Sequence, residues 1–400
     1  MRMTAAEIAD ELFHCGKQVK QCLLIQAKKC SADFSDEVVD FSEYLKLLEQ
    51  LQILYHSLGV KLENLDERIQ DVMALGVQLS EKVDTGNFIC HYVNLCNDIL
   101  INTIKFRKKY SIIRRDDRIP GIGSHVITNL GQILFSLDNG YIPVIDTVNA
   151  DNIFTEISRE YSVNAWELYF RQPMAGLEEV QYAAEVKHLN GIPDFKPDDS
   201  MDCLLNPGLM GFWQKIMRKY MRFSPEMEMY TEQCMQSLPF RKGIKIAGVL
   251  CRGTDYVNIR PYRHPVQPSI ERVISDIEQI MEKQKCDYCY LVTEDQAVLE
   301  TLKNRFGHQL LTTQKIYYPT DSSDVLTCTN DKMNIDIHQK NMEYLAALAI
   351  LAKCQVFIGG RTSGTVTSFL FAEGFEQIHI WNEGRYGLDD VYTTLASHIF

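Results

Sequence analysis

Three short polar stretches hold the residues of this 400-residue chain best suited to chemistry, and each directly follows an apolar run. They are Arg252-Gly253-Thr254-Asp255, Thr293-Glu294-Asp295 and Arg361-Thr362-Ser363-Gly364. Arg252 is a permanent cation whose guanidinium can grip a phosphate through two parallel hydrogen bonds. Asp255 would either orient that guanidinium or close a surface ion pair across the turn. Thr293, Glu294 and Asp295 offer acceptors for a base or a ribose. Gly359 to Gly364 puts small residues at the start of a helix, where unpaired backbone N–H groups and about half a positive charge receive phosphate oxygens. A Walker A loop is excluded, because Thr365 and Val366 stand where Lys and then Ser or Thr are required.

One pattern is missing. Among 27 aspartates no two are spaced Asp-x-Asp, the triplet that holds a divalent metal on the diphosphate in many nucleotide-sugar enzymes. A diphosphate leaving this site would be stabilised by side-chain cations instead, and losing one such contact typically costs about 3 kcal/mol in the transition state. Cys286 and Cys289 form the chain's Cys-x-x-Cys, but a strand would point them to opposite faces and no second pair follows at zinc spacing. No metal site is expected.

The elements that must position these residues follow from periodicity. Ile244, Ile246, Val249 and Leu250 read as a strand buried on both faces. Ser269 caps a helix whose inner face carries Val273, Ile277 and Met281. Strands at 288–292, near 316–318, at 356–358 and at 378–381 alternate with helices ending near Phe306, over 342–351 and through 369–371, and Leu388 to Ile399 reads as a terminal helix. This alternation predicts a doubly wound parallel sheet with the three polar stretches along one edge. They would form a pocket for an anionic, hydroxyl-bearing ligand such as a nucleotide sugar. Loops at strand ends collect polar residues in any case.

Upstream, 111–114 reads as a strand that runs into Gly121-Ile122-Gly123-Ser124, a helix through Leu137 and a strand over 141–146, a βαβ unit. Gly121 and Gly123 are not a dinucleotide fingerprint, since Val126 occupies the third glycine position. They would still let a ligand approach the backbone. Asp146, Glu167 and His264 are candidates for the acceptor side and, together with Asp255, for a base, each with a structural reading beside it. Lys105, Arg107, Lys108, Lys109, Arg114 and Arg115 read as a solvated basic linker face. Over the first hundred residues, apolar stripes such as Ile8, Leu12, Cys15, Val19 and Cys22 predict a small helical bundle, read as a structural appendage or a route to a homo-oligomer.

The net charge of −12 argues against a nucleic-acid partner. No run approaches the roughly 18 apolar residues of a membrane span, and the amino terminus is too acidic for a signal peptide. The scattered cysteines suit a reducing compartment, so the chain is expected to be cytoplasmic.

Together, Cys-Arg-Gly-Thr-Asp-Tyr at 251–256, Thr-Glu-Asp at 293–295 and Gly-Gly-Arg-Thr-Ser-Gly at 359–364 resemble the three donor-site motifs of the fucosyltransferase superfamily. That group holds α1,2-, α1,6- and protein O-fucosyltransferases and, more similar still, a set of uncharacterised bacterial relatives. The resemblance covers about 110–385. The family's first motif is His-x-Arg-Arg-x-Asp; here Leu250 replaces the histidine, Arg252 matches the first arginine, Gly253 replaces the second and Asp255 matches the aspartate. Thr362 and Ser363 fall on the paired hydroxyl residues of the third.

The resemblance implies an α/β fold of GT-B type, two Rossmann-like domains facing a cleft, with GDP-fucose as donor, inversion at the anomeric carbon and no metal or other cofactor. The expected division is a bundle over 1–105, an acceptor-side domain over 106–240, a donor domain over 241–385 and a terminal helix over 386–400. Catalysis would fall to Arg252 and Asp255. Gly253, Thr254, Thr293, Glu294, Asp295, Arg361, Thr362, Ser363 and Gly364 would bind the donor, and Gly121, Gly123, Asp146, Glu167 and His264 would face a glycan acceptor. Three alternatives stay open: another nucleotide sugar, a non-catalytic nucleotide-sugar binder, and a nicotinamide oxidoreductase, the last disfavoured by the incomplete glycine fingerprint.

Overall fold

The computed structural model describes residues 108–181, 183–319, 330 and 333–388. The bundle expected over 1–105 lies outside them, as does the terminal helix expected over 386–400 except for 386–388, which are not helical. The chain divides into two compact units. One is Met1–Ile112, Phe135–Val144 and Met174–Leu189; the other is Ile113–Leu134, Ile145–Pro173 and Asn190–Phe400.

β1 (Lys109–Arg114), α1 (Ile122–Asp138) and β2 (Ile142–Ile145) form the expected strand, glycine turn, helix and strand. After α2 (Thr155–Tyr161), a 3-10 turn (Ala165–Leu168) and α3 (Leu177–Val180), β3 (Glu185–Asn190) completes a sheet ordered β2-β1-β3. The first unit is tied internally by a 2.6 Å bond from Ser111 Oγ to Ser136 Oγ and by Lys187 over the Phe135 ring. The basic run is not one solvated face. Lys109 is exposed beside Glu185, whereas Lys108 and Arg115 are both buried at 5% exposure.

The second unit continues with α4 (Met201–Leu205), α5 (Pro207–Tyr220) and α6 (Pro225–Gln236). Ser200, Asn206 and Ser224 cap their first turns. There follow β4 (Ile246–Leu250), α7 (Thr254–Asn258), α8 (Ile270–Gln284), β5 (Tyr288–Val292), α9 (Gln296–Phe306), β6 (Leu310–Leu311), α10 (Ile337–Leu351), β7 (Val356–Gly360), α11 (Ser363–Phe371) and β8 (Gln377–Trp381). The sheet order is β6-β5-β4-β7-β8, and every pair is parallel. The chain moves outward from β4 to β6 and returns to β7 on the other side of β4. This reversal opens a crevice between the carboxyl ends of β4 and β7, the place where such sheets bind ligands.

α8 runs from its Ser269 cap with Val273, Ile277 and Met281 packed on Val249, Leu291 and Ile358 of the sheet. Each fully buried apolar side chain contributes about 1.5–3 kcal/mol relative to exposure. α10 is polar in its first turns but apolar all round and buried from Leu345 to Leu351, as a segment covered on several sides must be.

The edge strand departs from the reading at 316–318. Pairing with β5 occurs at Leu310 and Leu311, and Tyr318 makes only an isolated bridge to Asp295. Glu343 explains the shift, since its carboxylate takes the N–H groups of Lys315 and Ile316 at 2.8 and 3.1 Å and withdraws those donors from a ladder.

Candidate active site

Register alone aligns the three polar stretches. Leu250 lies opposite Val292 and Gly359, and Gly360 lies opposite Trp381. Arg252, Thr293 to Asp295 and Arg361 to Ser363 therefore leave the sheet at one edge, beside the crevice between β4 and β7. An open cavity of about 580 Å³ lies there, lined by Arg252, Tyr256, His264, Glu294, Arg361, Thr362 and Ser363 and also by Gly121, Gly123 and Ser124.

Arg252 is held in place on two sides. Its Nε is 3.4 Å from Glu294 Oε1, with the side chain 15% exposed, and its guanidinium lies 4.8 Å from the centre of the Tyr256 ring. Aromatic support of this kind contributes about 0.5–2 kcal/mol. Glu294 Oε1 also accepts from Gly253 N and from Thr254 Oγ1, both at 3.0 Å. Asp295, fully buried, takes Thr254 N at 2.8 Å while capping α9 through Ala297 N and Val298 N. Thr293 Oγ1 accepts from Asp295 N at 3.2 Å.

The Thr-Glu-Asp stretch is thus a latch on the arginine loop. Glu294 reaches the cavity; Thr293, Asp295, Gly253 and Thr254 lie behind its wall. The latch holds Thr254 at φ 39°, a left-handed conformation that is strained for a β-branched residue. Asp255 lies in α7, but its side chain is outside the described residues, and the carboxylate seen on Arg252 is that of Glu294.

Thr362 is the N-cap of α11, its hydroxyl accepting from Thr365 N at 3.2 Å, and Ser363 opens the helix at the cavity wall. Gly364 lies behind them. Arg361 is tethered, its Nε donating to Asp199 O at 2.8 Å and Nη1 to Asn382 Oδ1 at 2.7 Å. The start of α1 meets this helix, with Gly123 O lying 3.4 Å from Thr367 Oγ1, whose hydroxyl donates to Ser363 O at 2.8 Å.

Asp146 and Glu167 are not among the lining residues. Asp146 is fully engaged by Arg114 Nε at 2.7 Å and by Val148 N, Asn149 N and Asn149 Nδ2. Glu167 Oε1 accepts from Gln172 Nε2 at 2.9 Å.

Several lining residues carried no signal in sequence. Arg115 donates through Nη1 to Ser124 O, Ser124 Oγ and Thr128 Oγ1 at 2.9–3.2 Å, and burial lowers its pKa. Tyr344 has its phenol pushed up to about 12 by burial. Lys196, Asp198 and Asp199 come from the Pro- and Asp-rich loop after β3. Among the described residues the cavity holds seven Lys or Arg and five Asp or Glu, two positive charges in excess, on a chain of net −12. No group of His, Cys, Asp and Glu among the described residues could hold a metal ion, and none of the described helices is long and apolar enough to cross a membrane.

No protein-family model and no curated protein matches the chain. Among solved structures it is similar to the NodZ α-1,6-fucosyltransferase soaked with GDP-fucose, with 14% identity and a TM-score of 0.41 over 66% of this chain and 93% of that one. NodZ from Bradyrhizobium also matches at 13% identity and 0.41 over 70% and 97%. POFUT1 in complex with GDP-fucose matches at 10% identity and 0.39 over 68% and 97%.

Proposed function

We propose that the chain is an inverting, metal-independent glycosyltransferase of GT-B organisation that moves fucose from GDP-fucose to a hydroxyl group of a glycan, in the cytoplasm. Residues 241–385 would hold the nucleotide and 106–240 the acceptor. The observation that carries this reading is the placement of Arg252 at the crevice between β4 and β7, latched by Glu294, backed by Tyr256 and sharing a cavity with the Ser363 helix start. As the glycosidic bond breaks, charge accumulates on the diphosphate. A preorganised guanidinium and a helix terminus stabilise it without reorganising at that moment. The local excess of positive charge suits a nucleoside diphosphate. The three motifs supply the fucosyl assignment, and the missing Asp-x-Asp supports transfer without metal.

The test is a thermal-shift series with GDP, UDP, GDP-fucose and GDP-mannose, each with and without EDTA. The expected result is stabilisation by GDP and GDP-fucose that EDTA leaves unchanged. Stabilisation by UDP alone, or only with metal present, overturns the assignment; binding without release of GDP from the donor overturns catalysis.

A further inference from the structure

An inverting transfer needs a group to take the acceptor's proton, and resting on the reading above, we propose that this group is His264. Of the candidate bases whose side chains the structure describes, Asp146 and Glu167 are engaged away from the cavity. His264 lines the cavity and is exposed to it. Its Nδ1 lies 3.2 Å from Tyr262 O. A carbonyl oxygen only accepts, so the neutral ring carries its hydrogen on Nδ1 and keeps a lone pair on Nε2.

The ring is also positioned. It stands edge-on to Tyr256, centroids 5.4 Å apart at 88°, and Tyr256 is the ring that backs Arg252. The backbone is clamped by an antiparallel strap, with Arg263 N donating to Tyr386 O, Tyr386 N to His264 O and Val266 N to Gly384 O at 2.8–3.0 Å. Proton acceptor and diphosphate cation thus both pack against one aromatic ring. The charged groups around the imidazole are Arg252 beyond Tyr256, Arg263 over Tyr262, and Arg385, which donates to Arg263 O.

The cavity carboxylates have other partners. Glu294 holds the arginine loop, Asp199 accepts from Arg385 Nη2, Glu343 holds the 315–316 backbone and Asp198 accepts from Ser200 N. Asp117 accepts from Ile119 N and lies 3.7 Å from Arg115 Nη2; at 41% exposure it is the strongest rival.

In the step proposed, the acceptor oxygen attacks the anomeric carbon, and the bond between that carbon and the phosphate oxygen breaks. The electron pair leaves on the diphosphate beside Arg252, and the acceptor proton passes to His264 Nε2 and then to solvent.

The experiment uses the full chain and GDP-fucose, with GDP release followed first with water as acceptor and then with sodium azide, a nucleophile that has no proton to lose. His264→Gln is expected to keep its affinity for GDP within about twofold, to lose GDP release in water by about 100-fold or more, and to regain it with azide as fucosyl azide forms. A structural defect would not be repaired by azide. Undiminished release in water by His264→Gln overturns the proposal, as does an azide-repaired loss in Asp117→Asn with none in His264→Gln. Wild-type chain that neither binds GDP nor releases it from GDP-fucose overturns instead the transferase reading, and with it this step.

Discussion

Gly253 is where the structure makes its sharpest demand. A Cβ placed there meets Asp295 Oδ2 at 2.3 Å and Asp295 Cβ and Cγ at 2.7 Å, well inside contact distance. The aspartate cannot turn aside, since it is fully buried and its oxygens hold Thr254 N, Ala297 N and Val298 N. Gly253→Ala therefore forces overpacking of about 1–3 kcal/mol together with loss of the α9 cap, about 1 kcal/mol. We expect about 2–4 kcal/mol of destabilisation in urea titration. Asp295→Gly removes all three offending atoms, so adding Gly253→Ala to it should cost less than 1 kcal/mol, a coupling that a double-mutant cycle reads directly. A Gly253→Ala chain with wild-type stability, or strictly additive costs, would refute the packing argument. A longer side chain at this position, an arginine included, would have to enter the space that Asp295 fills.

Three further outcomes are expected. Arg252→Ala should lower GDP release from GDP-fucose by a hundredfold or more, about 3 kcal/mol, with the melting temperature kept; Arg252→Lys should recover only part, because an ammonium lacks the two-pronged grip. Gly131→Ala ought to stabilise α1 by about 1 kcal/mol on helix propensity. Its Cβ, however, would meet Phe195 O at 2.6 Å, Pro193 Cγ at 2.7 Å and Lys196 Cβ at 2.8 Å, so overpacking of about 1–3 kcal/mol wins and denaturation shows net loss. His125 is buried, and burial with the Arg115 charge brings its pKa down to about 3. Between pH 6.5 and 3 the unfolded chain binds a proton that the native chain refuses, so stability drops by about 1.4 kcal/mol per pH unit as pH falls. His125→Leu should show a slope shallower by that amount in urea titrations from pH 7 to 5.

Much of the second unit was legible because its signals are local. Tyr288–Val292 appears at the bounds that its apolar run predicts, and Ser269 caps its helix as read. A parallel sheet then carries Arg252, Glu294 and Ser363 to one edge with no further information. What was hidden depends on partners distant in sequence. Nothing in the run Thr293-Glu294-Asp295 distinguishes a ribose contact from a latch, because the difference lies in Gly253 N and Thr254 N, some 40 residues away. Arg115 reads as one charge in a basic run, and only the meeting of β1 with α1 buries it against Ser124 and Thr128. The edge strand was misplaced because Glu343, in α10, takes the donors of Lys315 and Ile316.

The acidic composition and the cationic cavity are two sides of one arrangement. A guanidinium left in a cleft has many rotamers, and ordering it costs up to about 2 kcal/mol in entropy. Here carboxylates absorb that ordering during folding. Glu294 fixes the loop of Arg252, Asp199 fixes Arg385 and Asp117 stands by Arg115. Two of these pairs are loose, with a Glu294 to Arg252 distance of 3.4 Å and an Asp117 to Arg115 distance of 3.7 Å, whereas Asp199 holds Arg385 at 2.7 Å. On the function proposed, a diphosphate oxygen with charge-assisted contacts of about 2.7–2.9 Å would outcompete the two loose carboxylates for the same donors. The negative charge that argues against a nucleic-acid partner is, at this edge of the sheet, what holds the loop of Arg252 in place.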